Sequence, residues 1–416
     1  MALLTPVRIA SFTLLVLALG TGSSPLAAAP FTTAAAQDEV QGMSRERLAR
    51  IAPAVKAQID EKLIPGAITL VSRRGEVVHY ETHGYLDEAR TKPMRKDALF
   101  RLASMTKPIV TVAAMMLVEQ GRMSLQDPVT KWLPELADLK VDSPTGDVAL
   151  ARPIWVQDLM RHTAGFTYSD RTTSPRLKRL YEDANIEARE DILGDEMLKR
   201  LGRIPLAHQP GTFWEYAITV DVLGLLIERV AHQPLDVLLK ESLFDPLGMK
   251  STVWWVSPDN VPRLAGAPVT ERLQQNPSGR TYFKGGGGLL GTADDYLRFA
   301  QMMVNGGTLD GKRYLSKKTV EFMLSQHTVG MGGTTVATTG PGYGFGLGFG
   351  VRLDQGMAWV PGSPGDAMWA GANGTSFWID PKEALVGLYM AYSPTPAVRI
   401  QTRMAFKNLV YGAMVK

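Results

Sequence analysis

The sequence predicts an α+β fold: an antiparallel sheet flanked by helices, plus a mostly helical subdomain. Three observations carry that reading. Residues 66–80 look like two strands around an Arg74-Gly75 turn, a hairpin pattern. The last third returns to strand character, with residues 342–352 alternating glycine with aromatic and aliphatic residues, 368–381 continuing the pattern and 385–392 adding a strand. The short turns between them imply antiparallel pairing. The stretch between these two regions has mainly helical periodicity. On this basis residues 37–112 and 255–416 are assigned to the α/β subdomain and 113–254 to the helical one. With 416 residues, 45% hydrophobic and 21% charged, the chain can bury a large core, and disorder is excluded.

The chain starts with a basic residue, Arg8, near a short apolar run at 9–20, followed by small residues. This is the pattern of a cleavable signal peptide over residues 1–36, with Ala34-Ala35-Ala36 preferred over Ala27-Ala28-Ala29 as the cleavage site because Pro30 follows the latter. The expected location is therefore periplasmic or secreted, an uncleaved anchor being the alternative. Residues 38–60 carry Leu48, Ile51, Val55 and Ile59 at helical spacing and read as a first helix. In the hairpin region His79 and His83 fall on one strand face with no third ligand beside them, so they read as ordinary strand residues and no metal site is expected.

Residues 100–108 run into an Ala- and Met-rich segment, 109–120, whose periodicity suits a buried helix. Ser104 and Lys107 lie one turn apart at its start, and Pro108 falls in the first turn, where a missing N–H costs little. A serine hydroxyl beside a buried lysine amine is a nucleophile beside a base. Gly121 caps this helix. A short helix from Trp155 ends in the Gly165 loop, and His162 within it reads as a residue bonding the local backbone rather than a general base. Residues 171–202 are helical and charged, a candidate lid. Tyr216 follows the Pro210-Gly211 turn and precedes an apolar helix, which puts its phenol at a helix entrance. The Gly285 to Gly288 run is not a phosphate loop, since no Gly-Lys-Ser/Thr follows; it allows close backbone approach before a helix capped by Thr292. A final helix is expected at 401–411.

Composition narrows the chemistry. The net charge of +4 is scattered, without a basic run, so nucleic acid is not a partner. The absence of cysteine removes disulfides, thiol nucleophiles, thiolate metal sites and a cysteine-linked lipid anchor. An α/β-hydrolase would need Gly-x-Ser-x-Gly; the nearest approach, around Gly362-Ser363-Pro364-Gly365, lacks the first glycine and is flanked by prolines.

Taken in order, Ser104-Met105-Thr106-Lys107, Leu125-Gln126-Asp127-Pro128, His162-Thr163-Ala164-Gly165, Tyr216 with Asp221-Val222-Leu223-Gly224, the 285–295 segment and Trp369-Ala370-Gly371 resemble the serine β-lactamase and penicillin-binding-protein superfamily. The likeness is to class C-like proteins and family VIII carboxylesterases, and covers about residue 44 to the end. It implies a β-lactamase-like fold, acylation of Ser104, proton transfer by Lys107 and Tyr216, and an oxyanion hole from the backbone N–H groups of Ser104 and Ala372. Trp369, Ala370, Gly371 and Ile218 would line the substrate in an active site between the two subdomains, and no cofactor is implied. Two positions depart from the lactamases: Ile218 replaces the asparagine of Tyr-x-Asn, and Trp369 replaces the lysine of Lys-Thr-Gly. Both changes favour a neutral, apolar acyl substrate over a β-lactam carboxylate. The expected activity is hydrolysis of small-molecule carboxylic esters with short or medium acyl chains, with weak cephalosporin hydrolysis beside it. A β-lactamase, a D-alanyl-D-alanine carboxypeptidase and a non-catalytic penicillin-binding protein are the alternatives; no obligate protein partner is expected.

Overall fold

The computed structural model describes residues 38–187, 193–266, 282–393 and 395–416; the expected signal peptide lies outside them. Seven strands form the main sheet: β1 (Gly66–Arg73), β2 (Glu76–Gly84), β3 (Tyr343–Phe345), β4 (Gly350–Arg352), β5 (Ala367–Ala370), β6 (Ser376–Asp380) and β7 (Leu385–Ala391). Their order is β3-β4-β5-β6-β7-β1-β2, and every neighbouring pair is antiparallel. The N-terminal hairpin thus adds itself to the edge of a meander built from the last third of the chain. Its turn holds Arg74 and Gly75 at φ 51° and 81°, the left-handed conformations that match strand twist.

Six helices frame the sheet and the site: α1 (Ile51–Asp60), α2 (Thr106–Glu119), α3 (Val156–Met160), α4 (Thr219–Ala231), α5 (Ala293–Val304) and α6 (Pro396–Gly412). Side-chain alternation sends Ala67, Val71, Tyr389 and Ala391 to one face, under Ile51, Val55 and Ile59 of α1 and Phe406 and Val410 of α6. Ile68, Leu70, Leu388 and Met390 face the other way and join the core of α2, α4 and α5. Being covered on both faces explains why all eight residues of β1 are buried.

The expected helix at 38–60 is shorter than predicted. Residues Glu39–Val40 and Met43–Ser44 pair as a tiny hairpin, and Ser44 then caps a four-residue helical turn, Arg45–Leu48, ahead of α1. Met43 bridges to Met414, so the pairing is fixed by a residue at the far end of the chain that local periodicity does not register. The predicted stretch at 171–202 contains helices Pro175–Asp183 and Gly194–Leu201 among the described residues.

At the far edge of the sheet an ion cluster is sealed from water. The Asp366 carboxylate accepts from Arg352 Nε at 2.7 Å, Lys407 Nζ at 3.1 Å and Tyr343 Oη at 2.9 Å. It thereby joins β3, β4 and α6. Asp366→Ala would strand two cations in a dry site and is expected to destabilise the fold by about 3–5 kcal/mol, read as a lowered midpoint in urea unfolding.

Candidate active site

Ser104 sits in a single 3₁₀ turn, Ala103–Met105, immediately before α2. Ala103 has φ 47°, a left-handed backbone that alanine rarely adopts, so the nucleophile's approach is strained. Three contacts hold the turn in place. Tyr296 Oη donates to the Met105 carbonyl at 2.9 Å, the Leu289 N–H donates to Thr106 Oγ1 at 3.2 Å, and the Leu102 N–H donates to the Leu289 carbonyl at 2.9 Å.

Lys107, in the first turn of α2, is 2% exposed. Its Nζ lies 3.4 Å from Ser104 Oγ and donates to the Gly286 carbonyl at 2.6 Å. Tyr216 precedes α4 and places Oη 2.7 Å from Ser104 Oγ. Hydroxyl, amine and phenol therefore meet, from segments more than one hundred residues apart. The Lys107 amine also lies 4.8 Å from the centre of the Tyr216 ring, and the Arg171 guanidinium 4.9 Å from it.

The glycine run is what lets the amine find its carbonyl. A Cβ on Gly285 would lie 2.5 Å from the Val220 carbonyl, and one on Gly286 2.1 Å from Asp221 Oδ2. Asp221, buried in the first turn of α4, accepts from the Gly286 N–H at 3.2 Å and from Tyr282 Oη at 3.1 Å. Burial, then the Asp221 charge, push the Tyr282 phenol well above its ordinary range, so it stays a donor. Burial, then the neighbouring Tyr216 and Asp221, do the same for Tyr168, whose ring stands 5.8 Å from that of Tyr216.

Behind Tyr216 lies a packed aromatic group. His162 is 4.8 Å away, Trp369 5.4 Å, and Phe345 contacts both at 5.3 and 5.2 Å. His162 bonds through Nδ1 to Thr219 Oγ1 at 2.7 Å and the Ala217 N–H at 3.3 Å, so its ring partners lie beyond Tyr216 and not in its own loop, where the sequence reading expects them. Burial first, then Lys107 and Arg171, hold its pKa well below the usual imidazole range, so it is neutral. Ile218 and Trp369 are 3% and 1% exposed, and the Trp369 ring packs against that of Tyr216.

The strand carrying Trp369 runs into the turn at Gly371 to Gly374. Gly371 presses against the Leu102 carbonyl, which an added Cβ would approach to 2.4 Å, so this turn abuts the Ser104 segment. The Gly371 carbonyl accepts from Arg403 Nη2 of α6 at 2.5 Å and from the Gly374 N–H at 3.2 Å. No peptide here is cis, so the Ala372 N–H, in the same peptide unit, points opposite to that carbonyl. Ala370 is partly exposed and Ala372 exposed. Asp221, the Gly286 carbonyl and Arg403 were missed by sequence reasoning. Asp221 was visible within the motif that follows Tyr216; the other two act through backbone contacts that no residue pattern announces.

The arrangement brings a serine hydroxyl, a lysine amine and a tyrosine phenol within reach of one another. The Beta-lactamase family profile matches residues 51–408. Esterase EstB of Burkholderia gladioli is 31% identical over 88% of this chain and 95% of its own. An uncharacterised protein of Mycobacterium tuberculosis is 35% identical over 81% of this chain and 88% of its own. Among solved structures, EstCE1, described as a hydrolase with promiscuous acyltransferase activity, superposes with a TM-score of 0.74 at 28% identity, over 88% of this chain and 99% of its own.

A fluorophosphonate probe is expected to add its phosphonyl group to Ser104, located by peptide mass spectrometry. Lys107→Met should slow the labelling by about 10²-fold or more; unchanged labelling in that variant would remove the amine from the proton-transfer path.

Proposed function

The chain belongs to the beta-lactamase family, and on that premise we propose that it is a carboxylesterase that works through an acyl-enzyme on Ser104. The single observation that carries the reading is the 2.7 Å contact between Tyr216 Oη and Ser104 Oγ, with the Lys107 amine on the same hydroxyl. The names of EstB and EstCE1 favour esters as the substrate class.

Ser104 Oγ attacks the ester carbonyl carbon while its proton passes to Tyr216 or Lys107. The carbonyl oxygen gains the negative charge, which the Ser104 and Ala372 N–H groups stabilise. The bond to the alcohol oxygen breaks, and the phenol returns the proton to the departing alkoxide. Water then attacks the acyl-enzyme by the same route and releases the acid. Ile218 and Trp369, where lactamases carry an amide and an ammonium, leave no charge of their own for a substrate carboxylate, so the preferred acyl group is neutral; a short or medium length rests on analogy with family VIII esterases. Cephalosporin hydrolysis follows as a slow side activity of the same nucleophile.

Turnover of p-nitrophenyl butyrate is expected to vanish in Ser104→Ala, and kcat/KM for the ester to exceed that for nitrocefin and for a D-alanyl-D-alanine peptide. A ranking with nitrocefin or the peptide first would make it a lactamase or a carboxypeptidase instead. Stoichiometric labelling without turnover would make it a penicillin-binding protein. We also propose export, on the leader pattern of residues 1–36; Edman sequencing of the mature protein is expected to begin at Gln37, and an intact Met1 would refute cleavage.

A further inference from the structure

The strand face with two histidines also holds a carboxylate, contrary to the expectation that no third ligand lies beside His79 and His83. In β2, His79, Glu81 and His83 oppose Val71, Thr69 and Ala67 of β1, so all three side chains share the α1/α6 face. One ligand atom from each lies within 4.8 Å of the others.

We propose that His79, Glu81 and His83 form a zinc site on this outer sheet face. The donor set, two imidazoles and one carboxylate, is a three-ligand set that zinc accepts with water completing a tetrahedron. Ligand atoms around zinc stand about 3.3 Å apart, so the widest gap here closes by side-chain rotation of about 1.5 Å while the strand backbone stays put. Thr69 Oγ1 touches Nε2 of both rings, at 2.7 Å for His79 and 2.9 Å for His83. In the tautomer where the His79 Nε2–H donates to that hydroxyl, His79 presents Nδ1, 3.7 Å from Glu81 Oε1, as the metal-binding atom, with Thr69 as the outer partner that fixes the ring. The Glu81 side chain is 45% exposed, which leaves an entry path and room for the water.

The cluster lies on the sheet face opposite the α2/α4/α5 core that carries Ser104, and β2 is an edge strand, so the ion would brace that edge without entering catalysis. Tag-free protein titrated with zinc sulfate in a calorimeter is expected to take up one equivalent and to show a raised melting temperature that EDTA reverses. His83→Ala should weaken the affinity by about tenfold or more, and Glu81→Gln, which keeps both histidine contacts to Thr69 and alters an exposed group, by about 10–100-fold. Ester turnover should stay within about twofold in Glu81→Gln, and Ser104→Ala should bind zinc as the parent does, so the site stands or falls apart from the esterase reading. Equal zinc uptake by the parent and both cluster variants, or none by the parent at micromolar protein, would overturn it.

Discussion

A buried amine must find an acceptor, and for Lys107 that acceptor is the Gly286 carbonyl. The rest of the site is arranged around this one bond. Gly285 and Gly286 have no side chains, so the carbonyl can reach the cleft against Val220 and Asp221. Asp221 then holds the turn by its N–H, and Asp221 stands in the helix whose entrance bears Tyr216. The amine and the phenol are therefore placed by one connected set of contacts, and neither can shift far without disturbing the other.

The phenol is also held from behind. Its ring is wedged among His162, Trp369 and, through them, Phe345, and a neutral His162 bonds to the first turn of the same helix. Trp369 is 1% exposed, and its ring packs against that of the tyrosine. Trp369 thus brings no charge to this place and gives the phenol a rigid support. Precision of the phenol oxygen matters to its contact with Ser104 because hydrogen-bond strength falls steeply with small displacements.

Much of this was legible in the chain because it is local. Arg74-Gly75 announces the hairpin, Thr292 caps α5 as expected, and the three-residue spacing of Ser104 and Lys107 survives although the serine lies in a 3₁₀ turn rather than in α2 itself. Tyr216 at a helix entrance needed only the turn before it and the apolar run after it. What stayed hidden depends on distant backbone or on which residues share a face. The 39–44 hairpin is set by Met414, the Lys107 acceptor is a main-chain carbonyl, and Glu81 between His79 and His83 reads as an ordinary strand residue. Residue patterns report side-chain type and period; they carry no information about which carbonyl a fold will turn toward a given amine.

Arg403 shows how far from the nucleophile in sequence such backbone control can begin. Burial first, and then neighbouring Arg399, push its pKa down to about 10, so the guanidinium is kept in a place that disfavours its charge yet remains protonated at neutral pH. An apolar side chain would fill that space in α6 without the desolvation cost. What the guanidinium supplies and an apolar group cannot is a charged donor on the Gly371 carbonyl. Pulling on that oxygen fixes the plane of the peptide and draws electron density away from its nitrogen, which makes the Ala372 N–H both better aimed and a stronger donor. A group that gathers charge only in the transition state gains from a donor already oriented before the substrate arrives. The C-terminal helix, which on sequence alone only packs back on the sheet, is in this light a support for the turn that would carry the proposed oxyanion donor, as the glycine turn is for the amine.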